Sequence, residues 1–204
     1  MDKNLKRMAT IHRLQVKGLE LFYKQGYYNT SVDDILKSLS LSKGAFYHHF
    51  NSKEDFFISI IQNLVVQKVY SMLIEPIEGK ENPFLTIEKC FENGLETAEH
   101  NDMDYGFILS NFMNEFNRRN PEIMRYLKDI MKIWEVNMVS IIQKGKTDGY
   151  VDRHVDSEGV ATYLISSYLG IRSLMVEGNC KVLRYNFMQQ LKGYFKSLEV
   201  KEIV

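Results

Sequence analysis

Two short helices joined by a tight turn are the feature of this sequence that most restricts its fold. Residues 31–53 read SVDDILKSLSLSKGAFYHHFNSK, where Thr30 or Ser31 is placed to cap a first helix and Ser42 to cap a second. The two helices meet at residues 40–42. Helices this short are not stable alone, so they need a shared core within a larger unit. The pattern predicts a helix-turn-helix.

Helix start and stop signals continue through the rest of the chain, whereas strand patterns are nearly absent. Gly26, Pro76 and Gly149 are placed as helix ends, and two Asn-Pro pairs, 82–83 and 120–121, as helix starts. The approximate helices are 4–25, 31–39, 42–49, 52–76, 83–100, 105–117, 121–148, 156–178 and 182–198. The sequence therefore predicts an all-α fold of about nine helices, with three short helices at the head and a bundle of longer ones behind them.

The charge is distributed unevenly, although the formal net charge of the chain is zero. Residues 1–53 hold nine Lys/Arg against four Asp/Glu, a net charge of +5, and the remainder has 17 against 22, a net charge of −5. A basic head on an acidic body is expected when only one end meets phosphates. The sequence contains no run of about 18 uncharged apolar residues, so it predicts no transmembrane helix. The charged start MDKNLKR does not resemble a secretory signal.

The second short helix has separate inner and outer faces. Phe46 and Phe50 are four residues apart and share a face, and Ile35, Leu39 and Leu41 can complete the core. The other faces then carry residues suited to DNA. Such a helix enters the major groove N-terminus first, where Lys43 can donate to guanine and Ala45 can touch a thymine methyl. Tyr and His side chains have the reach for phosphate oxygens.

GYYNTSVDDI followed by LSLSKGAFYHHFNSKEDFF resembles the signature of the TetR/AcrR regulator family over about residues 8–57. The resemblance implies that Lys43, Gly44 and Ala45 are close to the bases and that Tyr47 and His49 contact the backbone. His48 occupies the aromatic position between them, and Lys53 matches a phosphate-binding lysine. The predicted DNA-binding residues are Thr30, Ser31, Ser42, Lys43, Gly44, Ala45, Tyr47, His48, His49 and Lys53. Leu36, Leu39 and Ser40 depart from the family, which often has Ala, Ala and Gly there.

The resemblance also implies the organisation of the whole protein. Residues 1–52 would be the DNA-binding domain and residues 53–204 an effector-binding and dimerisation domain. The implied function is a cytoplasmic regulator, by family default a repressor, that binds a palindromic operator as a homodimer and is released by a small molecule, with no cofactor. The predicted dimer interface is Tyr163, Ser167, Gly170, Leu174, Phe187, Leu191, Tyr194 and Phe195.

Aromatic and polar groups on otherwise apolar helices are the candidates for an effector pocket. They are Tyr105, Phe107, Asn111, Phe112, Phe116, Trp134, Asn137, Met138, Tyr163 and Tyr168. Plain core packing is the alternative interpretation for each of them. The segment from Tyr105 to Trp134 resembles a subgroup that senses electrophiles through a cysteine. That cysteine's position falls near residues 106–107, which carry no thiol.

Other functional classes remain open from the sequence. A helical enzyme would use His100, Asp102 and Asp104 in HNDMD as a metal or acid/base cluster, although the solvated-loop interpretation is favoured because no partner ligands are suitably spaced. The body could instead be a platform for a protein partner. A metal pair at residues 48–49 is disfavoured because the side chains of adjacent residues on a helix point in different directions. Cys90 and Cys180 are isolated, which is typical of reduced thiols in a cytosolic protein and leaves a redox role as the alternative.

Overall fold

The computed structural model describes residues 3–77, 82–99, 105–176 and 178–200, and these residues form nine helices. They are α1 Lys3–Gln25, α2 Val32–Leu39, α3 Lys43–Tyr47, α4 Lys53–Ile77, α5 Pro83–Glu99, α6 Ile108–Phe116, α7 Pro121–Thr147, α8 Ser157–Leu174 and α9 Cys180–Leu198. These ranges contain no strand, only an isolated bridge between Val151 and Glu199. The predicted all-α fold is confirmed.

Serine caps begin the three helices around the turn. Ser31, one of the two predicted caps of α2, forms a capping box with Asp34, whose amide donates to the Ser31 hydroxyl and whose carboxylate accepts from the Ser31 amide. Ser42 accepts from the Ala45 amide and Ser52 from the Asp55 amide. Each cap satisfies a backbone donor that the first turn of a helix leaves unpaired, which fixes where these short helices begin.

Several helix ends differ from the predicted ones. Helix α3 stops at Tyr47, so residues 48–49 lie in the turn that follows it. Helix α6 begins later than predicted, after Gly106, which has a φ of +95° that a helix cannot contain. Helix α8 ends at Leu174, and Asn179 rather than a later residue caps α9.

Ser40 explains one departure from the family pattern. It closes α2 in the left-handed backbone region, with a φ of 54°, and its amide donates back to carbonyls of α2. Glycine adopts this conformation without steric cost, whereas serine does so at a cost of about 1 kcal/mol. The turn therefore adopts the left-handed conformation with a residue that is less suited to it than glycine.

Helix α4 combines several helical geometries and is unusually apolar. Two π-helical segments, Ile61–Val65 and Tyr70–Ile74, interrupt it, and its last turn is 3₁₀. By length and composition alone it could cross a membrane, with a mean hydropathy of 1.4. However, many of its apolar side chains, including Phe56, Phe57 and Val65, are buried within the protein.

The helices form two compact units with separate aromatic cores. Unit 1 comprises Met1–Lys68 and Ile108–Asp129, and unit 2 comprises Val69–Phe107 and Ile130–Val204. The core of unit 1 is a cluster of five rings, Phe22, Tyr27, Phe57, Phe112 and Phe116. The core of unit 2 includes Phe91, Phe107, Trp134 and Tyr168. Because α6 contributes rings to the first cluster, unit 1 is larger than the predicted head of residues 1–52.

Candidate nucleic-acid interface and effector site

The inner face of α3 is anchored in unit 1 by two phenylalanines. Phe46 is fully buried and Phe50 nearly so. Their ring centroids lie 5.2 Å and 4.7 Å from that of Phe56 on α4, and Ile35 of α2 is buried in the same core. This packing holds a helix of five residues that could not form alone. It also determines which α3 side chains face solvent.

The outer face of α3 carries the base-proximal residues predicted from the sequence. The side chain of Lys43 is 70% exposed, and Tyr47 is 57% exposed. At Gly44 an added Cβ would have only the Ser42 hydroxyl within 4 Å, at 3.8 Å, so the backbone is open to close approach. Ala45 is half-buried beside it. A cation, an aromatic hydroxyl and an uncovered backbone thus share one exposed surface.

Lys43 already has an anionic partner in the free protein. Its Nζ lies 2.9 Å from Oδ2 of Asp33 on α2, and this hydrogen bond raises the pKa of Lys43. Exposed ion pairs contribute little to stability, about 0–1 kcal/mol. A phosphate or a guanine can therefore replace Asp33 at small cost.

The two histidines after α3 differ in their surroundings. His48 is exposed, whereas His49 is half-buried, with the rings 4.9 Å apart. Burial lowers the pKa of His49, and the nearby His48 and Arg7 act in the same direction. In the free protein this favours the neutral imidazole of His49, which has one N–H that can donate to a phosphate oxygen.

Lys53 is turned toward the α1–α2 connection. Its Nζ donates to the carbonyl oxygen of Tyr27 at 2.6 Å and lies 4.0 Å above the Tyr27 ring. Burial lowers the pKa of Lys53, and the Glu115 carboxylate acts against this. An ammonium group has three donors, so the contact with Tyr27 leaves others for the predicted phosphate contact.

The structure corrects the prediction that Thr30 contacts DNA. Thr30 is only 1% exposed, and its hydroxyl donates to the Gly26 carbonyl at 2.8 Å, so it stabilises the turn from inside. Ser31 and Ser42 remain exposed, but both hydroxyls act as helix caps. Sequence reasoning missed Asp33 as the partner of Lys43, because the two residues lie on different helices.

In unit 2, three of the predicted effector residues form a buried triangle. The ring centroids of Phe107, Trp134 and Tyr168 are 5.8–5.9 Å apart. The Trp134 indole N–H is buried and has no acceptor among the described residues. Sequence reasoning missed Arg172, which is buried beside the triangle and donates to the Gly106 carbonyl at 3.2 Å. A lone arginine in an apolar helix carries no sequence signal for this placement.

The other predicted effector residues divide between several environments. Met138 is buried in unit 2, and Tyr105 and Asn137 are half-buried there. Asn111 is half-buried in unit 1.

Three assignments to the effector pocket are corrected. Phe112 and Phe116 belong to the ring cluster of unit 1, where both pack on Phe57 at about 5 Å as core side chains. Tyr163 is 48% exposed and packs on Tyr194 with ring centroids 4.5 Å apart, so it belongs to the surface of α8 and α9.

The predicted dimer residues divide into exposed and buried groups. Tyr163, Gly170 and Leu174 are exposed, Leu174 at 63%, and nothing lies within 4 Å of a Cβ added at Gly170. Ser167, Phe187 and Tyr194 are half-buried. Leu191 and Phe195 are buried within the chain, Phe195 stacked on Phe84, so their assignment to the interface is corrected. Val182 and Tyr185, which are not among the predicted interface residues, are also exposed.

The two cysteines are free thiols, and the described residues contain no metal cluster. Cys90 is buried, donates to the Met72 carbonyl, and has its pKa raised to about 12 by burial, which makes it unreactive. Cys180 is half-buried and donates to the Met175 carbonyl. The described residues contain no cluster of His, Cys, Asp or Glu that could hold a metal. His100, Asp102 and Asp104 lie outside the described residues.

Comparisons with known proteins agree with this architecture. Residues 16–60 match the family described as "Bacterial regulatory proteins, tetR family", and residues 85–179 match the "Tetracyclin repressor-like, C-terminal domain". The chain is 26% identical to the HTH-type transcriptional repressor DhaR of Mycobacterium sp. strain GP1, over 85% of this chain and 86% of DhaR. It is 22% identical to the transcriptional regulator AcuR of Cereibacter sphaeroides, over 71% and 66%. A TetR transcriptional regulator from Chloroflexus aurantiacus has the same fold, with a TM-score of 0.84 at 22% identity over 95% and 98%.

Proposed function

We propose that this protein is a repressor released by a small molecule. The chain belongs to the TetR family of bacterial regulatory proteins and is a transcriptional regulator rather than an enzyme. In this proposal a homodimer binds a palindromic operator. The observation that carries it is the exposed surface of Lys43, Gly44 and Tyr47 on a helix anchored by buried Phe46. Repression is supported by the name of DhaR, and binding to chromosomal DNA implies the cytoplasm.

Each head would present α3 to one half-site. Lys43 would read a base edge, and Tyr47 and His48 would contact phosphates, with Ser31, Ser42, His49 and Lys53 at the edge of the contact. Two heads about 34–36 Å apart would reach successive major grooves on one face of the duplex. Genomic footprinting of the bound sites tests this directly. We expect a palindrome with half-sites one helical turn or a multiple apart, and protection of single half-sites would contradict it.

The homodimer is supported by the surface of α8 and α9. Leu174, Val182 and Tyr185 are large apolar or aromatic side chains that are exposed, and Tyr163 is exposed on the same pair of helices. Gly170 leaves the α8 backbone uncovered, so a second helix could approach it closely. A symmetric dimer buries the same patch of both chains, and exposed apolar side chains of this kind are typical of such interfaces.

Leu174→Glu is therefore expected to separate the dimer and weaken operator binding at least about tenfold, because a buried unpaired carboxylate opposes association. Light scattering of the eluting protein measures the mass, and a DNA titration the affinity. Leu85→Glu is the matched control, because Leu85 is 55% exposed on α5. The assignment would be wrong if the Leu174 variant remained a dimer with unchanged affinity.

The effector site is best supported at the ring triangle of unit 2. An apolar wall of three rings with an unsatisfied indole N–H suits a small molecule that carries a hydrogen-bond acceptor. Leaving such a donor buried and unpaired costs about 1–3 kcal/mol, which a ligand could recover. Helix α4 runs from Lys53 in unit 1 to Ile77 in unit 2, so it could transmit ligand binding to the head. A coupling of about 1–3 kcal/mol would lower operator affinity about 5- to 150-fold.

Trp134 is the single tryptophan of the chain, so its emission can report on this site directly. From a panel of small aromatic and carbonyl compounds, those that quench the emission should also release DNA. Trp134→Phe should weaken their effect on DNA binding about tenfold through loss of one hydrogen bond. Tyr150→Phe, at an exposed position of unit 2 outside both proposed sites, should respond like the wild type. An undiminished response in the Trp134 variant would place the effector elsewhere.

A further inference from the structure

A basic surface lies outside the helix-turn-helix, at the connection between α6 and α7. We call Arg118, Arg119, Arg125 and Lys128 the basic turn, and all four are exposed. Three of them, Arg118, Arg125 and Lys128, line an open recess of about 440 Å³. The described lining residues of this recess include one carboxylate, that of Asp129. The basic turn belongs to unit 1, the same compact unit as the DNA-binding head.

A series of ring contacts connects the basic turn to the DNA-facing edge of the head. Lys53 lies 4.0 Å above the Tyr27 ring, and the Tyr27 and Tyr28 ring centroids are 5.2 Å apart. The guanidinium of Arg119 then lies 5.3 Å from the Tyr28 ring. Tyr28 is itself exposed and precedes Ser31, the cap of α2, by three residues. Arg119 therefore sits beside the same α1–α2 connection that holds Lys53.

The nearby carboxylates are partly committed to other partners. Glu115 accepts a hydrogen bond from the Tyr28 amide at 3.0 Å, so one of its oxygens is occupied in fixing the turn. Glu122 and Asp129 lie on α7, and together with Glu115 they give three acids against the four cations of the basic turn. The surface is therefore net positive, and Arg118 is adjacent in sequence to Arg119, which lies beside the Tyr28 ring.

We propose that Arg118 and Arg119 bind backbone phosphates of the DNA that flanks each half-site, as a second contact surface beyond α2–α4. The proposal rests on the proposed function, because it requires the head to dock on a duplex. Arginine suits this role, since its planar fork donates two hydrogen bonds to a phosphate and keeps its charge at every physiological pH. Such contacts add affinity without reading sequence.

The test is the salt dependence of binding to a mixed-sequence duplex of several helical turns, using the full-length protein. Each lost phosphate contact makes the slope of log K against log salt shallower by about 0.9. The Arg118→Ala/Arg119→Ala variant should therefore have a slope shallower by about 3–4 for a dimer, and at least about tenfold weaker binding. Arg118→Lys/Arg119→Lys keeps both charges and should retain most of the wild-type slope. Arg153→Ala, which removes an exposed arginine from unit 2, should leave it unchanged.

The outcomes separate this inference from the proposed function. If the wild type binds the duplex and the double alanine variant keeps its slope, the second contact surface is absent. Weaker binding with an unchanged slope would also overturn the inference, because it would mean that Arg119 only supports Tyr28. If the wild type itself does not bind the duplex, the proposed function fails. If the alanine variant unfolds, the lysine variant still tests the inference. A slope for the lysine variant as shallow as that expected for the alanine variant would count against a phosphate contact.

Discussion

The Lys43→Ala/Tyr47→Ala variant is expected to bind the operator about 100- to 1000-fold more weakly than the wild type. Each side chain stands on the exposed face of α3 and is expected to contribute about 1–3 kcal/mol to the complex. The fold should survive, because α3 is anchored by Phe46 on its buried face and by Phe50, which follows the helix. Fluorescence anisotropy with the footprinted operator measures the affinity, and circular dichroism verifies the helical content.

The two single variants should differ in kind. Tyr47→Ala should weaken binding to all sequences alike, whereas Lys43→Ala should also relax the preference at one base pair by about 1–3 kcal/mol. Lys24→Ala is the matched control, because Lys24 is an exposed cation at the end of α1 in the same unit. If the double variant and the wild type bound the operator with equal affinity, α3 would not be part of the DNA interface.

Phe57→Ala should lower the free energy of unfolding by about 3–5 kcal/mol, the loss typical of a large ring removed from a core. Phe57 has no exposed surface, and its ring lies 5.0–5.2 Å from those of Phe22, Tyr27, Phe112 and Phe116. A cavity at this position would weaken the packing of α4 against both α1 and α6. DNA binding should weaken with the loss of the folded head. Denaturant titration followed by circular dichroism gives the free energy.

Two variants calibrate this measurement. Phe57→Leu retains much of the buried volume and should cost only about 1 kcal/mol. Val16→Ala, at an exposed position of α1, should change the stability by less than about 0.5 kcal/mol. A loss below 1 kcal/mol for Phe57→Ala would mean that the five rings do not form the core of unit 1.

Local signals in the sequence were enough to predict most helices, including the short α3 and its exposed face. Ser42 caps α3 through one hydrogen bond three residues away, and Gly26 and Gly149 end helices with positive φ. The four-residue spacing of Phe46 and Phe50 separated the inner face from the outer one. Such signals act within a few residues, so a single sequence displays them.

Packing between distant segments could not be predicted in the same way. Thr30 resembles a helix cap in sequence, but the hydroxyl bonds inward because the α1–α2 turn folds over it. Phe112 and Phe116 were expected in an effector pocket, but α6 packs on Phe57, more than fifty residues earlier in the chain. Helical periodicity alone likewise could not tell Leu191, which is buried within the chain, from exposed Leu174. Each of these differences depends on which helices become neighbours.

Titration of the wild-type protein with duplex DNA over a series of salt concentrations tests the central claim most directly. If each head neutralises about four phosphates through the helix-turn-helix, log K should fall with log salt with a slope of about −7, and with a steeper slope if the basic turn also binds. Failure to bind duplex DNA at low ionic strength, or binding that does not depend on salt, would contradict the account.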